Sequence, residues 1–266
     1  MEKEININIK ENTVEDKEEI QVICGRNAVF EAIRSGREID RLLVAHSVSG
    51  GSVTAIIAKC KQSGILIKEV SPQKLDFLCG GANHQGVAVQ FASQSYAEVE
   101  DILKKAEESG KPPFIIICDE IEDPHNLGAI IRTAECCGAH GIIIPKRRSA
   151  SLNATVAKSA SGALEYMPVA RVTNIANEIE KLKEKGIWVF GADMDGKDYT
   201  YFDYSIPCAI VIGNEGKGIG PLVAKKCDEM ISLPMFGQIN SLNASVAAGV
   251  LMYEVVRKRN VKTGGA

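Results

Sequence analysis

The sequence of 266 residues predicts an α/β fold in which the strands of a parallel sheet alternate with helices. Three observations lead to this prediction. From residue 114 onward, short and continuously apolar runs such as FIIIC at 114–118 alternate with helical segments, as strands covered on both faces require. Residues 21–92 repeat the alternation on a smaller scale, and a polar stretch separates the two regions. The chain therefore contains a small α/β domain followed by a larger one.

The elements of the first region are bounded by glycine and proline. Gly64 ends one predicted helix, and Pro72 lies in the first turn of another, where proline is tolerated. An apolar run that starts at Gly86 predicts a closing strand. The predicted helices are 27–33, 53–62 and 72–78, and the predicted strands are 41–48, 65–70 and 86–91.

The elements of the second region are bounded in the same way. Gly138 and Gly186 end two predicted helices, Pro145 stops a strand, and a long helix closes the chain. The predicted helices are 127–137, 153–159, 175–185 and 244–257, and the predicted strands are 114–118, 141–144, 187–190, 209–212 and 230–233.

Charge is unevenly distributed along the chain. Residues 1–20 hold three Lys and seven Asp or Glu, which predicts an acidic, disordered tail. Residues 21–92 hold eight basic and five acidic residues and form the mildly basic first domain. Residues 93–111 are the predicted linker, and 112–260 the second domain. The net charge of −3 argues against loose electrostatic coating of nucleic acid, although it is compatible with a shape-selective RNA enzyme.

Composition narrows the location and the chemistry. No apolar run approaches the length of a membrane span, and the N-terminus lacks the apolar core of a secretory signal, so we expect a cytoplasmic protein without membrane contact. The eight cysteines are not spaced as CxxC, and no pair of histidines lies nearby at ligand spacing. We therefore expect reduced thiols and no metal site.

Candidate site residues lie in three segments that follow apolar strands, where open α/β sheets bind their ligands. In the first segment, Asn126 is predicted to cap a helix whose N–H groups face an anion. Arg132 lies one to two turns into that helix, where it is either a solvated residue or a buried anchor. His125 is interpreted as a loop residue rather than a catalytic base.

The other two segments are rich in small residues. IGNEGKGIG, residues 212–220, has four glycines in eight residues, which allow the backbone to approach a ligand closely. It matches neither a P-loop nor an early GxGxxG, and a tight structural turn is an equal interpretation. The third segment, residues 233–247, places Asn240, Ser241 and Asn243 ahead of a helix, and a simple helix cap would explain it equally well.

In this order, however, the three segments resemble a known set of motifs. NLGAIIRTA at 126–134, IGNEGKGIG, and LPMFGQINSLNASVAAGVLMYEV at 233–255 are similar to the three signatures of the SpoU (TrmH) family of RNA ribose 2′-O-methyltransferases. KRRSA at 146–150 and SGALE at 161–165 extend the resemblance. GRNAVFEAIRSGREIDRLLVA at 25–45 and HQGVAVQF at 84–91 resemble the substrate-binding domain, related in fold to a ribosomal protein, of the RlmB-type subgroup.

The resemblance implies a fold, a reaction and a partner. The second domain would be a parallel sheet with a trefoil knot, an exception to the usual absence of knots. The methyl donor would be S-adenosylmethionine. The acceptor would be the ribose of a guanosine in 23S ribosomal RNA, and the protein would be a homodimer. The residues that match the family's donor site are Gly191, Gly213, Leu233 and Leu242.

The family's catalytic positions correspond to Asn126, Arg132, Glu215, Ser241 and Asn243. Because a guanidinium does not ordinarily give up its proton in a protein, we expect Arg132 to stabilise the developing alkoxide and to anchor a phosphate, across the subunit boundary or within one chain. A phosphate oxygen or a water would then accept the proton. Ser241 and Asn243 would orient the nucleotide, while Asn126 and Glu215 would brace the loops.

The first domain is expected to deliver RNA specificity. Its arginines, with His84 and Gln85 nearby, are candidates for phosphate contacts, namely Arg26, Arg34, Arg37 and Arg41. Aromatic residues make up only 5% of the chain, which favours shape recognition over stacking platforms. Three alternatives stay open: the same reaction on transfer RNA or another ribosomal RNA site, a non-catalytic RNA-binding or ribosome-assembly protein, and a nucleotide-dependent redox enzyme.

Overall fold

The small domain is a four-stranded mixed sheet with helices on both faces. A computed structural model describes residues 22–35, 39–46, 48–91 and 95–261, so the predicted acidic tail lies outside the described residues. The strands are β1 (Val22–Cys24), β2 (Ile39–Ala45), β3 (Leu66–Val70) and β4 (Val87–Phe91), and the helices are α1 (Arg26–Arg34), α2 (Gly51–Gln62) and α3 (Pro72–Leu78). The strand order is β1-β4-β2-β3, in which β2 and β3 run parallel and β4 runs antiparallel to both of its neighbours.

The two faces of this sheet are covered by different helices. Val29 of α1 and Ile56 of α2 are buried in a cluster with Leu42 on one face. On the other face, Leu75 of α3 packs with Leu43. Ser71 caps α3, since its hydroxyl accepts the Lys74 N–H at 3.3 Å.

The large domain is a six-stranded sheet in which every pair of neighbouring strands is parallel. Its strands are β5 (Phe114–Cys118), β6 (Gly141–Pro145), β7 (Val169–Val172), β8 (Trp188–Asp198), β9 (Cys208–Ile212) and β10 (Glu229–Ser232), in the order β10-β8-β9-β5-β6-β7. Its helices are α4 (Val99–Ser109), α5 (Pro124–Cys136), α6 (Ala154–Ala160), α7 (Ile175–Glu184), α8 (Pro221–Ala224) and α9 (Ala244–Val261). This arrangement confirms the predicted α/β class with a parallel sheet.

Each face of the large sheet carries its own core. Ile116 packs with residues of α5, α6 and α9 on one face, while the adjacent Ile115 packs with residues of α4 and α7 on the other. Both isoleucines are fully buried. Because alternate side chains of a strand point to opposite faces, burial on both sides explains the continuous apolar runs of the sequence.

The structure contains elements that the sequence did not predict. They include strands β1 and β7, the short helix α8, and the part of β8 that continues eight residues past its predicted end at 190. The predicted linker contains α4, whose Ile102 lies so close to Gly141 that an added Cβ there would be 2.4 Å from Ile102 Cγ1. Helix α4 therefore packs as part of the large domain. The trefoil knot stays a prediction, since strand order alone does not establish threading.

A buried carboxylate joins the two domains. Asp40 on β2, only 1% exposed, accepts Arg171 Nη1 of the large domain at 3.0 Å and Arg41 Nε at 2.6 Å. Arg41 Nη2 continues to Ser151 Oγ at 2.9 Å, also in the large domain. The first domain is thus tied to the second by charged hydrogen bonds on both sides of one carboxylate.

Within the described part of the chain, no helix is long and apolar enough to cross a bilayer.

Candidate functional site

The three candidate segments meet at the edge of the large sheet where its parallel strands end. The segment after β5 leads into α5, the glycine-rich segment follows β9, and the third segment lies between β10 and α9. A cavity of about 440 Å³ opens between the last two segments and the middle of β8. Ligands of open α/β sheets bind at this edge, as the sequence predicted.

Apolar side chains form much of the cavity wall, and polar groups lie around its opening. Ile212, Ile231 and Leu251 line the wall and are almost completely buried. Asp193 of β8, Asn240 and Ser241 add polar groups. An apolar pocket with a few polar groups is the usual form of a small-molecule site.

The predicted donor residues are placed mostly at this cavity. Gly213, Leu233 and Leu242 all line it. Gly191 instead lies within β8, one residue before Ala192, which is part of the wall. A Cβ at Gly191 would be 2.7 Å from Met230 Sδ, so this glycine allows β8 and β10 to pack closely rather than facing the cavity.

Gly213 is required by the shape of the glycine-rich segment. A Cβ there would lie 2.3 Å from the carbonyl carbon of Gly218, a separation that side chains do not tolerate. The segment folds back on itself, with Asn214 N donating to Gly218 O at 3.1 Å and Gly218 N to Asn214 O at 2.8 Å. Gly218 has a φ of 66°, which favours glycine. The sequence left a tight turn and a ligand loop as alternatives, and the segment is a tight turn that also lines the cavity.

Asp119, which sequence reasoning did not select, holds the other end of this segment. It directly follows β5, is largely buried, and accepts the Gly220 N–H at 2.8 Å. Burial raises the pKa of its carboxyl above the ordinary value, although the Gly220 N–H acts in the opposite direction. A carboxylate immediately after an apolar strand is a sequence signal that would have identified this residue.

Three predicted catalytic residues form one hydrogen-bonded group, which we call the polar hub: Asn126, Glu215 and Asn243. The side-chain amide of Asn126 donates to Glu215 Oε1, and its Oδ1 accepts Asn243 Nδ2 at 3.0 Å. Asn126 is 8% exposed, so both ends of its amide are used inside the protein. The hub ties together the start of α5, the glycine-rich segment and the start of α9.

The predicted helix cap at Asn126 is wrong. Helix α5 already begins at Pro124, ahead of Asn126 in the chain, and Asp123 is its cap. The Asp123 carboxylate accepts the His125 N–H at 2.8 Å, and Pro124 occupies the first turn. Asn126 therefore lies inside the first turn, where its side chain is free to join the polar hub.

Of the predicted catalytic residues, Asn243 is the one that caps a helix, α9. Its Oδ1 accepts Ser245 N at 3.0 Å and Val246 N at 3.4 Å, at the start of α9. Since its Nδ2 donates to Asn126, the side chain of Asn243 is engaged at both ends. Ser241 differs, because it is exposed beside the cavity and no hydrogen bond of its hydroxyl occurs among the described residues.

Arg132 lies apart from the other predicted catalytic residues. It is exposed, its Nη1 donates to Ser161 Oγ at 3.3 Å, and it does not line the cavity. The sequence left two interpretations of Arg132 open, a solvated residue and a buried anchor. In this single chain Arg132 is a solvated residue. The structure thus brings four of the five predicted catalytic residues to the site.

The first-domain arginines are largely engaged within the protein. Arg26 Nη1 donates to Ser52 Oγ at 3.0 Å and its Nε to the Gln85 carbonyl at 3.3 Å. Arg34 pairs with Glu31 at 3.3 Å, and Arg41 is bound between Asp40 and Ser151. Similarly, His84 Nε2 lies 3.1 Å from Asp76 Oδ1. Arg37 lies outside the described residues.

No arrangement of three or more His, Cys, Asp or Glu residues suited to a metal ion occurs in the described ranges. The eight cysteines are all free thiols. Burial raises the pKa of the Cys60 thiol to about 11, which keeps it protonated at neutral pH.

Comparison with protein families gives two matches that together span most of the chain. Residues 113–253 match the SpoU rRNA Methylase family, and residues 22–97 match the domain described as RNA 2′-O ribose methyltransferase substrate binding. The stretch between the two matches, residues 98–112, overlaps the predicted linker at 93–111.

Individual proteins are similar over nearly the whole chain. A putative TrmH family tRNA/rRNA methyltransferase, YacO of Bacillus subtilis (strain 168), is 52% identical over 90% of this chain and 96% of its own. A putative TrmH family tRNA/rRNA methyltransferase of Staphylococcus aureus (strain MSSA476) is 47% identical with the same coverage.

Among solved structures, an rRNA methyltransferase of Sinorhizobium meliloti with bound AdoMet is 26% identical. It covers 89% of this chain and 86% of its own, with a TM-score of 0.55. The SpoU methyltransferase AviRb of Streptomyces viridochromogenes is 25% identical, covers 91% of this chain and 90% of its own, and has a TM-score of 0.58.

Proposed function

Because this chain belongs to the SpoU rRNA methylase family, we propose that it methylates the ribose 2′-hydroxyl of a guanosine in 23S ribosomal RNA. The methyl donor is S-adenosylmethionine. The observation that carries the proposal is the cavity at the carboxyl edge of the large sheet, which the polar hub adjoins through Glu215. A ribosomal RNA substrate also fits the cytoplasmic location that the sequence predicts.

The cavity suits this donor in size and in chemistry. Its volume of about 440 Å³ lies within the usual range for small-molecule sites, about 300–1,000 Å³. Apolar walls suit a purine, and the glycine-rich segment offers backbone groups without intervening side chains. Asp193 supplies a negative charge toward a cationic ligand. When bound, the donor would supply an electrophilic methyl group to a ribose oxygen, its sulfur leaving as a neutral thioether while a phosphate oxygen or a water accepts the hydroxyl proton.

The chain's own residues divide into bracing and contacting groups. The polar hub fixes the ends of α5 and α9 relative to the glycine-rich segment, which supports bracing roles for Asn126 and Glu215. Asn243 is engaged at both ends, so its geometry favours the same role over direct contact with the nucleotide. The exposed hydroxyl of Ser241 is the group best placed to orient the acceptor nucleotide.

Arg132 enters this scheme from a second copy of the chain. An exposed apolar stripe runs along α9 through Val246, Val250 and Tyr253, at helical spacing. Since α9 begins at the polar hub and packs against α5, a copy that covers the stripe lies next to the site. The homodimer is expected to place Arg132 of one copy beside the cavity of the other, where its guanidinium stabilises negative charge on the ribose oxygen.

The dimer is testable on its own. Charged substitutions at two positions of the stripe, Val246→Glu with Val250→Glu, should convert the protein into monomers in light-scattering measurements. A matched pair of substitutions on the exposed face of α2, Ala55→Glu with Ala58→Glu, should leave the mass unchanged. A wild-type protein that is monomeric at micromolar concentration would contradict the dimer.

The substrate is tested by mapping 2′-O-methylation across total RNA from cells with and without the gene. Loss of methylation at one guanosine of 23S ribosomal RNA is expected. Loss at a transfer RNA position, or at another ribosomal RNA position, would keep the reaction and replace the substrate. Unchanged methylation throughout would contradict the proposal, and calorimetry with S-adenosylmethionine would then show whether the protein is an inert RNA-binding relative.

A further inference from the structure

A second and larger cavity, of about 570 Å³, lies between the two domains, and we call it the interdomain groove. One wall comes from β3 and α3 of the small domain, including Lys68 and Lys74. The opposite wall comes from residues 145–153 of the large domain, including Lys146. The two domains therefore enclose a space that neither forms alone.

The lining of the interdomain groove is strongly basic. Among the described residues of the lining, six side chains are cationic and one, Glu122, is a carboxylate; the six are Arg41, Lys68, Lys74, Lys146, Arg148 and Arg171. Asp40 pairs with two of the arginines, and Glu120 with Arg148 at 3.0 Å. Even with these three carboxylates counted, the groove keeps a surplus of three positive charges.

Three of the six cations are exposed lysines. Among the described residues, no ion pair or hydrogen bond engages the ammonium groups of Lys68, Lys74 and Lys146. Lys68 and Lys74 belong to one wall and Lys146 to the other, so the cations are spread over the groove. A polyanion with repeated phosphates is complementary to separate cations, because each phosphate can meet one of them.

The domain junction holds the walls of the groove in place. Asp40 fixes Arg41 and Arg171, and the Arg171 guanidinium stacks 4.5 Å from the centre of the Tyr96 ring. Tyr96 in turn accepts the Leu152 N–H at 2.9 Å through its hydroxyl oxygen. Arg41 and Arg171 are thus mainly structural, and the lysines are left to contact a ligand.

The groove also leads toward the candidate site. Pro124, which begins α5, lines the groove, and Asn126 of the polar hub follows two residues later. On the small domain, Phe77 is 85% exposed and lies one helical turn from Lys74 on α3. Phe77 does not itself line the groove, but an exposed aromatic ring one helical turn from a cationic side chain is suited to stack on an unpaired base.

We propose that the interdomain groove binds the backbone of a single-stranded RNA segment that leads to the nucleotide to be methylated. Lys68, Lys74 and Lys146 contact its phosphates, and Phe77 stacks on one of its bases. The proposal rests on the proposed function, and it adds that substrate recognition uses both domains of one chain. It also moves the phosphate contacts away from Arg26, Arg34 and Arg41, which the sequence singled out.

The test compares charge-reversal variants on 23S ribosomal RNA purified from cells lacking the gene. We expect Lys68→Glu with Lys74→Glu, and separately Lys146→Glu, to raise KM for the RNA at least tenfold, with kcat and the Kd for S-adenosylmethionine changed less than twofold. The slope of log Kd for RNA against log salt should fall by about 0.7 for each phosphate that the variant no longer binds. Phe77→Ala should weaken binding without changing that slope.

The control is Lys59→Glu with Lys61→Glu, the same charge change on exposed positions of α2, which does not line the groove. This variant should keep KM within twofold. An equal loss in the control, or an unchanged KM in the groove variants, would overturn the proposal. Failure of the proposed function is a different result: the wild-type protein would then transfer no methyl group to any RNA, while its RNA affinity still reports on the groove.

Discussion

The Nδ2 of Asn243 donates to the Oδ1 of Asn126 at 3.0 Å, although 117 residues separate the two in the sequence. Asn243 caps α9 and Asn126 lies in the first turn of α5, so this bond joins the N-terminal ends of two helices at the edge of the sheet. Glu215 completes the group from the glycine-rich segment. The geometry of the site therefore depends on side chains that hold one another rather than on any single loop.

Removal of the central amide of this hub should impair activity more than stability. Asn126→Ala leaves Glu215 and Asn243 without their partner, but both are exposed to water that replaces it. We expect a loss of about 1 kcal/mol in the free energy of unfolding. Since small displacements of catalytic groups are costly, kcat/KM should fall about 100-fold. Chemical denaturation and methyl-transfer kinetics measure the two effects.

Two further variants distinguish the hub from a general effect at the start of α5. Asn126→Asp places a carboxylate against Glu215, so at neutral pH it should lower kcat/KM further than Asn126→Ala. His125→Ala, one position away and exposed, should change it by less than threefold. Equal effects of the three substitutions would contradict the role of the hub.

The close approach at Gly213 predicts a sharp difference between neighbouring glycines. Gly213→Ala places a Cβ 2.3 Å from a backbone carbon, so the segment must shift, and the affinity for S-adenosylmethionine should fall at least tenfold in calorimetry. The Cβ that Gly216→Ala adds would have Asn214 Oδ1, at 3.6 Å, as its nearest neighbour. The melting temperature of this variant should therefore equal that of the wild type. A Gly213→Ala protein with unchanged affinity would show that this segment does not form the donor site.

A buried histidine predicts how stability depends on pH. His140 Nδ1 accepts the Phe114 N–H at 2.9 Å, so Nε2 carries the hydrogen and donates to Ser109 Oγ at 3.0 Å. Burial, with Arg259 and Lys105 nearby, lowers the pKa of His140 below its ordinary value of 6.5. The neutral ring is therefore favoured in the folded state, and its stabilising contribution is complete above pH 6.5 and lost as pH falls below it.

His140→Asn retains an acceptor for the Phe114 N–H but cannot be protonated in this range. Between pH 7.5 and 5.5, the wild-type melting temperature should fall relative to that of His140→Asn. Parallel curves for the two proteins would contradict the assignment. A pH-independent offset is expected in addition, because the shorter side chain packs less well and does not reach Ser109.

Action of Arg132 across the subunit boundary can be tested by complementation. Arg132→Ala homodimers should be nearly inactive, by at least 100-fold, and Gly213→Ala homodimers should lose at least tenfold in rate when S-adenosylmethionine is limiting. A heterodimer of the two, purified through different affinity tags, has one chain with an intact cavity and a partner with an intact Arg132. It should recover about half of the wild-type rate. If Arg132 acts within its own chain, the heterodimer would be as inactive as the parent variants.

Much of the fold was predictable because the strands of the large sheet are buried on both faces. Strands β5, β6 and β9 lie within a residue or two of their predicted bounds for this reason. Strand β7 was missed because it has four residues and carries Arg171, which serves the domain junction. The outer part of β8 is polar, and only its pairing with β10 makes it a strand, as in the register of Lys197 with Ile231.

The site was predictable in composition but not in connectivity. The true cap of α5 had a sequence signal, since an Asp followed by Pro is typical of a helix start, and Asp123 was overlooked. The partners of Asn126 lie 89 and 117 residues away, and no local pattern indicates such pairs. Likewise, nothing near Arg41 shows that its guanidinium also reaches Ser151, 110 residues away, rather than RNA.

The central claim is transfer of a methyl group to a ribose 2′-oxygen of RNA, and the chemistry of the product tests it most directly. Purified protein, S-adenosylmethionine labelled on the methyl group, and RNA from cells lacking the gene are incubated, and the RNA is hydrolysed in alkali. A 2′-O-methyl group blocks cleavage of the adjacent phosphodiester, so we predict label in alkali-resistant dinucleotides that begin with guanosine. Label released entirely in mononucleotides would place the methyl group on a base and contradict the account.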